Sequence, residues 1–512
     1  MKRLVILLFA VIASTAIWAQ TFFDEAEVYV NGTKASKTGF SVVITRSGAN
    51  YNVTLKNLKV GSTVLGDMEL KGITPESSAG SIVLLANQDV TFKQGSTAGA
   101  IGPDLGPQPV KMAAITDSKT MIAHFTIDMT ASRGELIDVL FGEDMLTGKN
   151  FHVPNGDFEL WHTTTEGYIA PNAWHTFEDA TGGYASMGGH HVKRLKNYGR
   201  NNSACVSIVT TEETVSLMGT TRVVKANGTL TTGRLNCGSF APTDTKNNTY
   251  LDMSKTDLDG NGDPFYVTLN HRPDSLVTWL QFTQVKDVPE HPWCVVSATV
   301  TDGTYYQEPE PADAQYTNVV CKALNHDITT TGGQWKRISI PFDYASYPYG
   351  AQPKAIMITV STNAYKGDGG GQAGDEVLLD DLTLVYNHRL RKLTGLTGFS
   401  PDKYDYEVTN DININDLNAV ADGKESHVLI SEKPASDGKY IYVDVYAADL
   451  KSVSTYSIHC KTGTGIAVTT KAEDAGIDTY YNLGGQRISA PKHGQVTIVK
   501  TADGRTIKAV NK

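Results

Sequence analysis

The strongest constraint on the fold is a two-residue alternation of apolar and polar side chains that recurs after residue 20. Clear examples run from Tyr51 to Leu55 and from Phe125 to Met129. Successive side chains of a β-strand point to opposite faces, so this period gives one buried face and one solvated face. The runs are bounded by Gly, Asn, Asp or Pro, and a 3.6-residue period over ten or more residues is hard to find. The sequence therefore predicts an all-β protein.

The length and the first residues predict an exported chain of several domains. A chain of 512 residues exceeds what one hydrophobic core normally organises, so we expect three or four domains. Residues 1–20 combine the basic Lys2 and Arg3 with an apolar run from Leu4 to Ile12 and small residues before Gln20, which is typical of a secretory signal peptide. The apolar run is too short to span a bilayer. We expect no transmembrane helix and a location at the cell surface, associated with the outer membrane, in the periplasm or secreted.

Charge and cysteine usage limit the partners. The chain has 45 Lys and Arg against 55 Asp and Glu, a formal net charge of −10, with no long block of one sign. Nucleic acid requires clustered cations, so no nucleic-acid partner is expected. The five cysteines occur singly and form no Cys-x-x-Cys pair. Disulfides Cys205–Cys237 and Cys294–Cys321 are conceivable in an exported chain, and buried free thiols are the alternative.

Residues 21–150 form the first predicted domain. Turn sequences such as Asn31-Gly32 separate its short strands, as in a barrel or sandwich. The segments Val28 to Gly32, Asn52 to Asn57 and Gly66 to Leu70 resemble the calycin-like β-barrel domain at the start of exported Bacteroidetes proteins. The resemblance implies a calycin-like β-barrel.

Residues 151–388 form the second predicted domain. Its distinctive segments are Asn155-Gly-Asp-Phe-Glu159 with Trp161, Pro171-Asn-Ala-Trp174, Arg272-Pro-Asp-Ser275, the Trp335 to Phe342 run and the closing Asp380-Asp381 pair. Through these residues the domain resembles the PCMD family, named for a carbohydrate metabolism domain, and more distantly the jelly-roll carbohydrate-binding modules. The resemblance implies a jelly-roll β-sandwich with a carbohydrate-related function.

Smaller C-terminal β-domains are expected after residue 388. Residues 389–462 resemble the cadherin-like β-sandwich of bacterial surface proteins, through Gly398-Phe-Ser-Pro-Asp402 and the tyrosines that follow it. Residues 463–478 are small and polar, which predicts a linker. Residues 479–512 resemble the C-terminal sorting domain of the type IX secretion pathway, through Tyr481-Asn-Leu-Gly-Gly-Gln-Arg487.

Aromatic and planar polar side chains of the second domain are the candidates for ligand binding. Flat aromatic faces stack on sugar rings, and planar polar groups hydrogen-bond the hydroxyls. The tryptophans that stand beside His, Pro or turn residues are favoured over those inside apolar runs. The candidate ligand-binding residues are Trp161, Trp174, Trp293, Glu178 and Asp179.

Two groups of oxygen-bearing side chains are candidates for a structural calcium ion. One would tie the first strand of the sandwich to the last; the other resembles the first half of an EF-hand loop but has Thr268 where the full loop needs a Glu. In both groups the alternative is that the side chains cap turns and strand ends. The first group is Asp157, Glu159 and Asp381, and the second is Asp257, Asp259, Asn261 and Asp263.

Three functions remain open. The first is a non-catalytic protein that binds a polysaccharide or oligosaccharide, the second is a glycoside hydrolase with paired carboxylates, and the third is a β-modular adhesin with a surface-protein partner. The catalytic residues of a hydrolase are not defined by the sequence, because the separation of two carboxyl groups decides the chemistry. The chain contains no His-Glu-x-x-His zinc motif, no Gly-x-Ser-x-Gly nucleophile elbow and no phosphate-binding loop.

Overall fold

The computed structural model of the protein describes residues 19–510, apart from 79–80, 118, 218, 242, 258–259, 290–292, 364–370, 462–476, 483, 490–495 and 502–505. The chain forms two compact units. The first comprises the residues up to His388 together with Gly423–His427 and Tyr446–Ser452, and the second comprises Arg389–Asp422, Val428–Val445 and the residues from Val453 onward.

The first unit begins with a nine-stranded antiparallel sheet in the order β4-β3-β2-β1-β9-β8-β7-β6-β5. Its strands are β1 (Ala19–Val30), β2 (Thr33–Ser47), β3 (Asn50–Val60), β4 (Thr63–Ile73), β5 (Pro75–Ser78), β6 (Ser81–Val90), β7 (Gln108–Thr116), β8 (Met121–Met129) and β9 (Glu135–Phe141). Two short helices accompany them, α1 (Thr130–Arg133) and α2 (Glu143–Thr147), with a 3-10 turn at Gly102–Leu105.

This sheet curls until its two edges almost meet. The Asn31-Gly32 turn between β1 and β2 has positive φ at both residues, 49° and 77°, as a tight type I′ hairpin requires. Across the gap between β4 and β6, the Gln88 side-chain amide donates to the Lys71 carbonyl at 2.7 Å and accepts from its N–H at 3.1 Å. The inward apolar side chains, among them the fully buried Phe125 and Phe141, form one core.

The rest of the first unit contains two five-stranded antiparallel sheets. One has the order β12-β13-β28-β22-β26; the other has the order β16-β27-β23-β25, with β21 added on β27. The strands of these sheets are β12 (Val192–Leu195), β13 (Cys205–Val209), β16 (Thr229–Thr231), β21 (Val267–Thr268), β22 (Ser275–Thr283), β23 (Cys294–Thr301), β25 (Val319–Ile328), β26 (Lys336–Pro341), β27 (Ala355–Ser361) and β28 (Glu376–Val385).

Short hairpins and turns precede or connect the strands of these two sheets. They include the pairs β10-β11, β14-β15 and β19-β20 and the three-stranded sheet β17-β18-β24. Their bounds are β10 (Trp161–Thr163), β11 (Ile169–Pro171), β14 (Thr211–Leu217), β15 (Thr220–Ala226), β17 (Arg234–Cys237), β18 (Asn247–Tyr250), β19 (Asp252–Thr256), β20 (Pro264–Phe265) and β24 (Gln307–Glu308). The 3-10 turns in this region are Phe177–Asp179, Ala185–Met187 and Arg200–Asn202.

The second unit has a small core around the fully buried Tyr456 and Ile441. Its sheets are β29-β31, β30-β34-β33-β32 and β36-β35-β37-β38, and β30 pairs with β34 in parallel. The strands are β29 (Leu390–Thr394), β30 (Asp405–Val408), β31 (Asn418–Ala421), β32 (His427–Ala435), β33 (Gly438–Tyr446), β34 (Val453–Lys461), β35 (Ile477–Tyr481), β36 (Arg487–Ile488), β37 (Val496–Thr501) and β38 (Thr506–Val510), with a 3-10 turn at Ile414–Asp416.

The all-β fold class, with a barrel-like sheet followed by further β-sheets, is confirmed. No helix among the described residues is long and apolar enough to cross a membrane. The signal-peptide prediction falls on residues of which 1–18 lie outside the described part, and most of the expected linker, 462–476, also lies outside it. The predicted domain limits remain predictions. All five cysteines are buried free thiols, which is the alternative to the two conceivable disulfides.

The backbone at residue 66 of the barrel-like sheet lies so close to the Lys93 carbonyl that the position favours glycine. Gly66 has a φ of +106°, and a Cβ there would lie 2.1 Å from the Lys93 carbonyl oxygen, whereas Gly61 has a φ of +57° and open space around it. We expect Gly66→Ala to lower the free energy of unfolding by about 3 kcal/mol or more, because backbone strain and overpacking add. Gly61→Ala should cost about 1 kcal/mol through strain alone. Denaturant unfolding with hydrogen exchange of β3 and β4 measures both, and equal losses would contradict the close approach.

Candidate functional site

A pocket of about 580 Å³ lies between the β10-β11 hairpin, the 3-10 turn Phe177–Asp179 and strand β12. Its wall combines aromatic, aliphatic and charged side chains. The residues that line it are Thr164, Tyr168, Ile169, Ala170, Pro171, Trp174, Thr176, Glu178, Asp179, His190, Val192, Lys193, Arg194 and Lys196. The pocket thus brings together three of the five predicted ligand-binding residues.

The Asn155-Gly156 turn fixes the hairpin that forms one wall. The Asn155 side-chain amide donates to the carbonyls of Leu160 and Asn172, at 2.9 and 3.0 Å, and accepts from the Leu160 N–H at 2.9 Å. Leu382 of β28 donates its N–H to the Gly156 carbonyl at 2.8 Å. A Cβ at Gly156 would lie 2.0 Å from the Leu382 oxygen, so only glycine permits this approach.

Trp174 forms an inner wall of the pocket. Its side chain is only 2 % exposed and packs on Phe158, with ring centroids 5.3 Å apart. The indole Nε1 is buried and has no hydrogen-bond partner within the described part of the chain. A buried donor without a partner costs free energy that a ligand oxygen or a water would recover.

Glu178 and Asp179 enter the pocket from the 3-10 turn. The Thr176 hydroxyl caps this turn by accepting from the Glu178 N–H at 3.4 Å. The Glu178 carboxylate lies 2.8 Å from His190 Nδ1, and the His190 ring lies 3.8 Å from the Tyr168 ring. Burial raises the pKa of Glu178, although the His190 contact opposes the shift.

Strand β12 and its end supply positive charge opposite these carboxylates. Lys193, Arg194 and Lys196 line this side. The Arg194 guanidinium lies 5.8 Å from the Trp161 ring, whose Nε1 donates to the Phe158 carbonyl at 2.5 Å. Trp161 is not among the residues that line the pocket.

The remaining predicted ligand-binding residue lies elsewhere. Trp293 directly precedes β23 and is partly buried. It is not among the residues that line the pocket. The structure therefore does not bring it together with Trp174, Glu178 and Asp179.

The three residues of the first predicted calcium group do not share a partner in the described part of the protein. Asp157 is exposed, and Glu159 accepts from the Ala204 N–H at 2.6 Å. The Asp381 carboxylate pairs with the Arg200 guanidinium at 2.5 Å, and the same guanidinium lies 3.8 Å from the Trp279 ring. An arginine thus supplies the positive charge at the closing strand.

Of the second predicted calcium group, Asp257, Asn261 and Asp263 are described, and Asp259 lies outside the described residues. Asp257 accepts from the Gly262 N–H at 2.9 Å. Asp263 accepts from Asn261 at 2.6 Å and from the Ala173 N–H at 2.5 Å. The loop therefore holds the backbone just before Trp174, and calcium binding by either group remains a prediction.

Asp257 also faces a histidine. His175, Asp179 and Asp257 form a cluster whose possible metal-ligand atoms all lie within 4.8 Å of one another. Among the described residues, this is the one such cluster of three or more His, Cys, Asp or Glu side chains. Sequence reasoning left His175 aside because no known histidine motif contains it. It also missed Arg194, Lys193 and Lys196, since single cations on a short strand give no signal until the strand is placed beside the pocket.

No family model matches the chain, and no curated protein matches it. Two solved structures named “putative glycoside hydrolase” are similar to it. The one from Bacteroides vulgatus has 18 % identity and a TM-score of 0.30, covering 46 % of this chain and 94 % of its own. The one from Bacteroides thetaiotaomicron has 14 % identity and a TM-score of 0.33, covering 67 % of this chain and 98 % of its own.

The raised pKa of Glu178 predicts how stability depends on pH. A carboxyl with a raised folded-state pKa contributes its stability below the unfolded-state pKa and loses it as the pH rises through the folded value. Ionised Glu178 is therefore a cost at neutral pH that a glutamine lacks. We expect the Tm of Glu178→Gln minus that of the unchanged protein to become more positive between about pH 4 and pH 7. Thermal unfolding measures it, the exposed Glu166→Gln is the control, and a pH-independent difference would contradict the shift.

Proposed function

We propose that the protein is an exported carbohydrate-binding protein, non-catalytic, that recognises a polysaccharide or oligosaccharide in this pocket. The observation that carries the proposal is the convergence of aromatic rings, carboxylates and cations on one cavity. Its volume of about 580 Å³ lies within the roughly 300 to 1,000 Å³ typical of small-molecule sites.

The chemistry of the wall suits a sugar. Tyr168 is 37 % exposed at the rim, so its ring offers a flat face for the C–H side of a pyranose. Glu178 and Asp179 accept from hydroxyls, and Arg194 donates to ring or hydroxyl oxygens. The unpartnered Nε1 of Trp174 adds a donor in the inner wall. A purely apolar ligand would leave these polar groups unpaired, at a cost for each one.

The proposed setting follows from the sequence resemblances. In this proposal residues 151–388 are a PCMD-like jelly-roll domain that binds the glycan. The calycin-like, cadherin-like and sorting-domain-like segments display it at the cell surface or in the periplasm, where surface proteins are further partners. Protease treatment of cells tests this location: cleavage in intact cells indicates the surface, and cleavage only after the outer membrane is permeabilised indicates the periplasm.

Glycan binding by the full-length protein is the direct test. We expect at least one polysaccharide in a broad panel to retard the protein in affinity electrophoresis. Tyr168→Ala should weaken binding at least about tenfold, or about 1.4 kcal/mol, because it removes the stacking face. The matched control is Tyr349→Ala, a tyrosine 44 % exposed outside the pocket lining. Equal affinities of the two variants would exclude the pocket as the glycan-binding site. Capture of surface proteins without any glycan binding would favour the adhesin function.

A second candidate function is glycoside hydrolysis. It is favoured by Glu178, a pocket carboxyl whose pKa is raised by burial, as the general acid of a glycosidase needs. If the protein is a hydrolase, a bound polysaccharide should release reducing sugar. Glu178→Gln should then lower kcat by about a hundredfold or more while binding persists. Binding without release of reducing sugar by the unchanged protein would leave the non-catalytic function.

A further inference from the structure

Beneath the pocket, two carboxylates converge on one ring nitrogen of a buried histidine. His175 Nδ1 lies 3.4 Å from an Asp179 oxygen and 3.5 Å from an Asp257 oxygen. The His175 side chain is completely buried, and Asp257 is 4 % exposed. The three ligand atoms lie within 4.8 Å of one another.

The other ring nitrogen determines what Nδ1 can do. His175 Nε2 lies 3.0 Å from the Pro264 carbonyl oxygen, which can only accept a hydrogen bond. Nε2 therefore carries a proton. In a neutral imidazole Nδ1 then presents a lone pair toward two carboxylates, so three acceptors face one another in a buried space. Such an arrangement favours a cation held between the three atoms, and a metal ion is one that can accept all three lone pairs.

The distances from Nδ1 are compatible with a metal ion shared by the three groups. Ligand atoms at about 2.1 Å from a tetrahedral Zn²⁺ lie about 3.4 Å from each other. The observed separations of 3.4 and 3.5 Å have the length of such an edge.

Backbone hydrogen bonds hold His175 and Asp257 in place from different parts of the chain. The His175 backbone pairs with Thr231, with N–H to O distances of 2.7 and 3.0 Å. The second Asp257 oxygen accepts from the Gly262 N–H at 2.9 Å, and the Asp257 N–H donates to the Asp263 carbonyl at 2.9 Å. A metal-binding histidine commonly donates its other N–H to a backbone carbonyl, as His175 does to Pro264.

We propose that His175, Asp179 and Asp257 form a binding site for a divalent metal ion of the zinc class, at the base of the pocket. One imidazole and two carboxylates suit Zn²⁺ and disfavour Ca²⁺, which takes oxygen ligands. Asp179 also lines the pocket, so the proposed metal site adjoins the pocket. The site goes beyond glycan binding and does not depend on it.

Metal titration of the full-length protein tests the site. After chelator treatment and dialysis, the protein is titrated separately with ZnCl2, MnCl2 and CaCl2 by calorimetry, with bound metal counted by mass spectrometry and Co²⁺ absorption reporting the geometry. We expect one equivalent of Zn²⁺, a tetrahedral Co²⁺ spectrum and a Tm that rises on loading. Asp179→Asn should weaken Zn²⁺ binding at least a hundredfold.

Matched variants keep the outcome clear. His175→Ala should also lose the Zn²⁺. If this truncation of a buried side chain impairs folding, Asp179→Asn still tests the site, because asparagine has nearly the same size as aspartate. The control is His326→Ala, at a surface histidine 3.6 Å from Asp327, which should bind like the unchanged protein. Zn²⁺ binding unaltered by both His175→Ala and Asp179→Asn, or no Zn²⁺ binding at all, would overturn the site. Ca²⁺ binding that needs Asp257 but not His175 would place the ion on the loop instead.

Discussion

The approach of the Asn155-Gly156 turn to strand β28 is the contact on which the candidate site depends. A side chain at Gly156 would collide with the Leu382 carbonyl, and the hydrogen bond from Leu382 to Gly156 fixes the first segment of this region on its last strand. Asn155 then binds the backbone on both sides of the β10-β11 hairpin. The hairpin wall of the pocket is thereby set by two consecutive residues that do not themselves line the pocket, since a glycine permits the approach and an amide supplies three hydrogen bonds.

Near this junction, the carboxylates of Asp380 and Asp381 accept hydrogen bonds from other groups of the protein. Asp380 is fully buried, and burial raises its pKa, but it accepts from the Arg200 N–H at 2.7 Å and from the Ser203 hydroxyl at 3.1 Å. Asp381 pairs with the Arg200 side chain, which also lies on Trp279. A guanidinium between a carboxylate and an aromatic ring combines a charge-assisted pair with a cation–π contact. One arginine therefore stabilises the closing strand where calcium was predicted.

The sequence predicted the strands well because alternation is a local property. Tyr51 to Leu55 and Phe125 to Met129 lie in β3 and β8, where one face enters a common core. The pocket could be predicted only in part. Trp174, Glu178 and Asp179 share one stretch of chain, whereas Arg194 comes from β12 and becomes their neighbour only through tertiary packing. The burial of Trp174 against Phe158 is equally a tertiary effect, and no periodicity encodes it.

The metal site was beyond sequence reasoning for a related reason. The loop pattern drew attention to Asp257, but the fold pairs that carboxylate with His175, which lies more than 80 residues earlier in the printed sequence. Asp179 belongs to both the cluster and the pocket wall. A metal ion on Asp179 would neutralise part of the negative charge that faces a ligand, so the metal and the glycan would change each other's affinity. Linkage makes that change equal in both directions. The shared carboxylate thus joins two sites that rest on separate observations, one on the cavity wall and the other on the geometry around His175.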